Sequence, residues 1–460
     1  MRTTPCPPLS CRMYVRFSEL DGATVGVWGA GREIRSFAGQ LARRLPAARI
    51  AVAAFDGAPP SDVHEALGTA VRVVTAAEAA AALRDCDVVV RSPGVSVHRP
   101  ELRRLREAGV PLRTATGLWL AEREGRGVIG VTGTKGKSTT AALACHLARA
   151  AGRDAHLAGN IGVPALDLLD ADPGALAVVE LSSYQIADLE AGPEVAVVTS
   201  LFREHLDWHG TEEVYRAEKL RILGLPGVRV AVLNARSEPL AQAPRGARVA
   251  LAAYGVPGGW DLTPRGIELR GELALASAEL PLPGEHNALN LCGALTALEA
   301  YDLAPKPLAE ALRGFRPLPH RLEAIAERDG ILWVDDSIST TPESTLAALA
   351  SFPGREIVLI GGGQDRGQDY AGLAGELARR GAMLVGVPST GSRLVAAARA
   401  AGVPPAHAIE ATGMESAVAV ARDLGASGAV ILLSPAAPSY DHFRDFEDRG
   451  ERFRALADVD

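Results

Sequence analysis

The chain has 460 residues, of which 47% are hydrophobic and 22% charged. That is the balance of a soluble globular protein with room for two to four domains. Net charge is −7 without a dense basic stripe, which excludes the usual footprint of a nucleic-acid binder while leaving room for local phosphate pockets. Cys6, Cys11, Cys86, Cys145 and Cys292 are odd in number, scattered and without a CxxC pair. Neither a disulfide framework nor a zinc site is expected, and a reducing cytoplasm fits.

No apolar run reaches the roughly 18 residues of a membrane helix, so membrane insertion is not expected. Residues 1–14 begin MRTTPCPPLSCR, Pro-rich and without an apolar stretch. They read as a disordered tail, or as translated sequence ahead of a start near Met13, and not as a signal peptide.

From there, short apolar runs alternate with Ala/Leu/Arg-rich helical stretches such as AALACHLARAAG. ATVGVWG, RIAVAAFD and CDVVVRSPG fall in residues 15–122. GVIGVTG, ALAVVELSS, VAVVTSL and VRVAVLNA fall in 123–317. ILWVDDS, REIVLIGGG, MLVGVPS and GAVILLSPA fall in 318–460. Continuous apolar strands ending at Gly, Ser, Asn or Asp indicate buried parallel sheets. Repeated strand–helix units indicate doubly wound folds. The prediction is an α/β protein of three domains, each an open, mostly parallel sheet with helices on both faces. The first and last are Rossmann-like, around a P-loop ATPase-like centre, with a hinge at the prolines of FRPLPHRLE.

The first glycine loop is GVWGAGREIRS. Gly26, Gly29 and Gly31, with Asp56 further on, resemble a dinucleotide fingerprint, but the third glycine position is Ile34. An NAD-dependent dehydrogenase is the rival reading. A loop for another diphosphate is the preferred reading, since a helix N-terminus attracts either anion and the third glycine is missing. Gly29, Ala30, Gly31 and Arg32 are the candidate substrate contacts there, with SPGVS (92–96) as a second turn facing them.

The second loop, GVTGTKGKSTT at 130–140, follows a strand and opens a helix. Backbone N–H groups and a helix N-terminus cradle phosphates, the lysine reaches the terminal phosphates, and a hydroxyl can ligate Mg²⁺. The strict pattern would place glycine at 131, which is Val131. Gly133, Thr134, Lys135, Gly136, Lys137, Ser138 and Thr139 are the candidate nucleotide residues. Downstream, Glu180 ends the strand VVELSSYQ, His205 and Asp207 follow another strand, and Lys219 lies in YRAEKLRI. A lone histidine is more often structural and a helix lysine more often solvated. At successive strand ends of one sheet they form one candidate site.

Together these motifs resemble the Mur ligases, which add amino acids to the peptidoglycan precursor with ATP. The similarity runs in family order through GVTGTKGKSTT, GNIGVPAL (159–166), ELSSYQ (180–185), EHLDWHG (204–210), YRAEKLRI (215–222), GEHNALN (284–290), LPHRLE (318–323), the DDS strand end (335–337) and SPAAPSYDHFRDFEDRG (434–450). It is nearest to the glutamate-adding branch acting on UDP-N-acetylmuramoyl-L-alanine. The resemblance implies a cytoplasmic ADP-forming ligase with an acyl-phosphate intermediate, using ATP and two Mg²⁺ sites. It also implies a division of labour: 15–122 for the UDP end, 123–317 for ATP, and 318–460 closing over both and admitting glutamate. A monomer is expected.

Carried over by resemblance, Lys137, Glu180, His205 and Lys219 are catalytic, and Lys219 is the lysine that the family carbamylates. Ser138, Thr139, Glu180, His205 and carbamylated Lys219 are the metal ligands. Asn287, Arg321 and Asp336 meet ATP, while Asn160, Ser182 and Gln185 hold the muramoyl-alanine. Ser337, Thr340, Arg366, Ser434 and Tyr440 fall in the glutamate region.

Two stretches depart from the family. The usual Asp-Ser-Lys-Ala-Thr-Asn is here Asp336-Ser337-Ile338-Ser339-Thr340-Thr341, followed by Pro342. The usual Ser-Pro-Ala-Cys-Ala-Ser is Ser434-Pro435-Ala436-Ala437-Pro438-Ser439. Both line the glutamate pocket in the family. Their joint change, with the ATP motifs kept, points to L-glutamate and a partner epimerase, with D-glutamate as the alternative.

Overall fold

The computed structural model describes residues 14–202, 206–303, 307–316, 319–365 and 367–458, with backbone alone at 206–207. The expected tail up to Met13, His205 and Arg366 therefore lie outside the described residues. The chain forms two compact units, one running to Pro281 and including His286–Phe315, the other made of Leu282–Glu285 and the residues from Arg316 onward.

The first unit holds two parallel sheets. Strands β1 (Thr24–Trp28), β2 (Arg49–Phe55), β3 (Arg72–Thr75), β4 (Val88–Arg91) and β5 (Leu112–Arg113) lie in the order β3-β2-β1-β4-β5. Strands β6 (Val128–Thr132), β7 (Ala155–Gly159), β8 (Leu176–Glu180), β9 (Val195–Val198), β10 (Val230–Asn234) and β11 (Ala250–Tyr254) lie in the order β11-β10-β9-β6-β8-β7. Every pairing in both sheets is parallel. The central strands are buried along their whole length, because Val and Ile suit a pleat covered on both faces. The helix Lys137–Ala150 buries ten of its fourteen residues, most of them alanine or small hydroxyl residues. Small side chains on all sides let it sit close against the sheet, aimed along the loop that precedes it.

An antiparallel three-stranded sheet follows: β12 (Trp260–Thr263), β13 (Gly266–Leu269) and β14 (Glu272–Ala276). The second unit has one sheet of β15 (Glu323–Arg328), β16 (Ile331–Asp335), β17 (Ile357–Gly361), β18 (Met383–Gly386), β19 (Ala408–Glu410) and β20 (Val430–Leu433), in the order β15-β16-β20-β17-β18-β19. All its pairings are parallel except the edge pair β15–β16. Each of the three parallel sheets falls within one of the three sequence segments. The described cysteines, Cys86, Cys145 and Cys292, are free and buried. No described helix is long and apolar enough to cross a membrane.

Candidate active site

The glycine loop of the first unit is built as expected. Between β6 and the helix Lys137–Ala150, Gly136 takes the left-handed conformation (φ 87°), and a Cβ there would run into Asn290 Oδ1. The loop is braced from the neighbouring strand end. The Ser200 carbonyl accepts from Thr134 N (2.9 Å), and Ser200 Oγ accepts from Lys135 N (2.8 Å). Thr199 Oγ1 donates to the Lys135 carbonyl at 2.5 Å. Lys137 Nζ folds back onto the Thr134 carbonyl at 2.9 Å. Ser138 and Thr139 are buried at the first turn of the helix.

Lys219 lies 2% exposed at the same loop, its Nζ donating to the Gly133 carbonyl at 2.8 Å and lying 5.0 Å from the Tyr215 ring centroid. Tyr215 in turn hydrogen-bonds Thr134 Oγ1 at 2.7 Å. Glu180 ends β8, in register with Val131 of β6, so its carboxyl emerges beside the loop. It is 1% exposed; Oε1 accepts from Asn160 Nδ2 at 3.0 Å, while buried Oε2 has no partner among the described residues. A buried carboxylate oxygen without a donor costs about 1–3 kcal/mol. A hard cation beside the hydroxyls of Ser138 and Thr139 would meet it with the right chemistry. The residues present therefore fit a magnesium ion.

Asn287 and Asn290, one turn apart on the helix Glu285–Glu299, are both 7% exposed and 3.4 Å apart through Nδ2 and Oδ1. Asn287, read from sequence, thus reaches the loop's surroundings through Asn290, which the sequence reading passed over although it shares the motif and helical face. Thr199, Ser200 and Tyr215 were also missed; the Thr-Ser pair directly after an apolar strand was the available signal. In EHLDWHG the expected ligand, His205, lies outside the described residues. The same motif's second histidine, His209, is buried and hydrogen-bonds Glu218 Oε2 at 2.5 Å through Nδ1 and Ser183 Oγ at 2.9 Å through Nε2. It anchors the residue next to Lys219.

The first glycine loop joins this assembly. Arg32 donates to the carbonyls of Gly159 (2.9 Å), Asn160 (2.9 Å) and Gly162 (3.0 Å), tying it to the GNIG turn after β7. A Cβ on Gly29 would lie 2.8 Å from Ser92 Oγ, so the SPGVS turn does face the loop. Ser92 Oγ is buried with no partner among the described residues. Gly31 caps the following helix, and Ala30 accepts from Arg35 Nε. Ser182 and Gln185 cap a short helix together, Gln185 Oε1 accepting from Ser182 N at 2.8 Å and Oγ at 2.9 Å. Gln185 Nε2 donates to Glu33 at 2.6 Å. Burial pushes the Glu33 carboxyl up, against hydrogen bonds from Thr116 and Gln185. Glu33 is a further residue the sequence reading missed.

In the second unit, Asp336, Ser337 and Ser434 are buried where β16 and β20 end. Asp336 accepts from Leu322 N (3.1 Å) and Ser434 Oγ (2.8 Å). Burial lifts its carboxyl to about 6, opposed by hydrogen bonds from Ser339 and Ser434 and by the Arg321 charge. The Ser339 carbonyl accepts from Ala436 N at 3.0 Å, joining the two altered loops. Thr340 is half-buried on the first of them, and Tyr440 is 61% exposed just past the second.

A phosphate cradle, a buried carboxylate with one oxygen unpartnered among the described residues, and a lysine at the same loop define a nucleotide-using active site. The sequence matches the Mur ligase middle domain over residues 131–298 and the Mur ligase glutamate ligase domain over 320–437. It is 43% identical to a UDP-N-acetylmuramoyl-L-alanine–L-glutamate ligase of Xanthomonas euvesicatoria, covering 97% of each chain. A ligase of the same name from a Micromonospora species is 44% identical over 95% of this chain and 97% of its own. Among solved structures, the UDP-N-acetylmuramate–alanine ligase of Thermotoga maritima superposes with a TM-score of 0.60 at 19% identity, covering 95% of this chain and 99% of that one. The MurF ligase of the same organism, in complex with ADP, gives 0.58 at 17% over 98% of each. These structures share the fold. The chain belongs to the Mur ligase family and is an ATP-dependent, ADP-forming ligase of peptidoglycan synthesis. The dehydrogenase reading of the first loop is thereby set aside.

Proposed function

We propose that the chain joins L-glutamate to UDP-N-acetylmuramoyl-L-alanine through an acyl phosphate. The alanyl carboxylate oxygen attacks the γ-phosphorus of ATP and the bond to ADP breaks. The glutamate amine then attacks the acyl carbon, loses a proton, and phosphate leaves. Such a transition state needs positive charge and alignment more than acid–base chemistry. Lys137 and the N–H groups of the 133–138 loop supply charge at the phosphates. Ser138, Thr139, Glu180, His205 and a carbamylated Lys219 would hold Mg²⁺ in two sites, where it would add charge at phosphate oxygens.

On this reading residues 15–122 take the uridine end, 123–317 take ATP, and 318–460 take glutamate. Gly29, Ala30, Gly31 and Arg32 serve the diphosphate; Asn160, Ser182 and Gln185 serve the muramoyl-alanine. Asn287, Arg321 and Asp336 serve ATP, and Ser337, Thr340, Arg366, Ser434 and Tyr440 serve glutamate. The enzyme works as a cytoplasmic monomer, and an epimerase must then act on its product.

The observation that carries the choice of enantiomer is the Ser339–Ala436 hydrogen bond. It makes one surface of the two loops whose sequences depart from the D-glutamate pattern, with Ile338 in place of lysine. The relatives' names support it. ADP release with the uridine-linked alanine precursor and each glutamate enantiomer tests it. Faster turnover with L-glutamate is expected, and preference for the D form overturns it.

A further inference from the structure

The helix Phe446–Ala457 carries Arg449 in its first turn, 1% exposed. Its Nε donates to Ser337 Oγ at 3.0 Å, Nη2 to the Ser337 carbonyl at 2.7 Å, and Nη1 to the Ala437 carbonyl at 3.0 Å. Ser337 Oγ in turn donates to the Phe446 carbonyl at 2.8 Å. A Cβ on Gly363, just past β17, would lie 3.1 Å from Nη1 and 3.4 Å from the Ala437 Cβ. One guanidinium thus gathers the ends of β16, β20 and β17, three adjacent strands. Open α/β sheets bind ligands outside such carboxyl ends.

Among the described residues, no carboxylate comes within ion-pairing distance of Arg449. Asp335 and Asp441 act only through their longer-range fields. Every hydrogen bond it donates ends on a neutral oxygen. Burying a cation on neutral partners is costly, and hydrophobic residues of similar volume would often hold a fold as well. An arginine at this position is better explained by what its rigid fork fixes. What it fixes is the relative register of the two altered loops.

We infer that Arg449 is the positioning residue of the amino-acid pocket, holding Ser337 and Ala437 so that the pocket discriminates between the hands of an anionic amino acid. This rests on the reading that these loops receive glutamate. Its unneutralised charge also biases the strand-end face toward an anion. A fold staple alone would leave discrimination unchanged once the protein is folded.

The test uses the full chain at saturating ATP, magnesium and uridine precursor, varying each glutamate enantiomer. Arg449→Lys keeps the charge and loses the fork; Arg449→Met loses both. With Arg449→Lys, KM for L-glutamate is expected to rise about tenfold or more, as the loss of charge-assisted hydrogen bonds implies. The ratio of kcat/KM between enantiomers shrinks, while KM for ATP and for the precursor stays within about twofold. Arg449→Met goes further in the same direction. Thermal midpoints are recorded alongside, and if one variant fails to fold, the other decides by the same measures. An unchanged enantiomer ratio, or a fall in kcat with all KM values unmoved, overturns the inference. A wild-type chain inactive with both enantiomers defeats the functional reading instead, so the two failures are distinguishable.

Discussion

Glu180 is held in an environment that suits a cation better than it suits the empty protein. Its Oε2 is buried without a donor among the described residues, beside a loop lined by N–H groups. Glu180→Gln removes an anionic oxygen there, so it should sharply increase the magnesium concentration needed for turnover, which ADP release against magnesium measures. Lys137→Ala should cost about 10²–10³ in kcat, the usual effect of removing one charge aimed at a developing anion; ADP release measures it. Asp336 gives a pH signature. Its carboxyl rises from 3.8 to about 6 on folding, so the folded chain binds that proton more tightly than the unfolded chain does. The associated stability is full below about pH 4 and is lost as pH rises through about 6. Between pH 5 and 7 the thermal midpoint should therefore carry a downward component that is missing in Asp336→Asn. The difference between the two melting curves is the measurement.

Individual strands were legible wherever they cross a sheet interior. VIGVT, LAVVE and VAVV are buried throughout, and burial on both faces demands an unbroken apolar run. The edge strands were harder. EAIAER of β15 is only partly buried, and β12–β14 are short strands of four or five residues, with exposed positions in β14 and half-buried ones in all three. Such strands rest on partners that the sequence does not disclose. The same limit explains the site. Lys137, Glu180 and Lys219 could be read because their motifs are local. The bracing of the loop by Thr199 and Ser200, and the packing of Asn290 on Gly136, depend on sheet order. Gly136→Ala should weaken nucleotide binding more than tenfold, since it adds about 1–2 kcal/mol of left-handed strain to a collision with Asn290. Asn290→Gly added to it should recover the collision part alone, which ADP titration can separate.

At the scale of the molecule, the two compact units have separate cores. One set of clusters is built on the first three sheets, another on the last sheet. Calorimetric unfolding should depart from a single two-state transition. ADP with magnesium should stabilise the first unit's transition by mass action, and Asp336→Asn should displace that of the second.

The three carbonyls that grip Arg32, and the Glu33 that grips Gln185, have a consequence for protein engineering. A chimera that exchanged the first 122 residues for those of a relative handling a different precursor would sever these fastenings at once. To keep the second glycine loop and its neighbours in working order, the donor would have to supply a cation reaching the GNIG turn and an acceptor for the Gln185 amide. With the buried Arg91–Asp188 pair, those side chains mark which parents can be spliced better than overall similarity does.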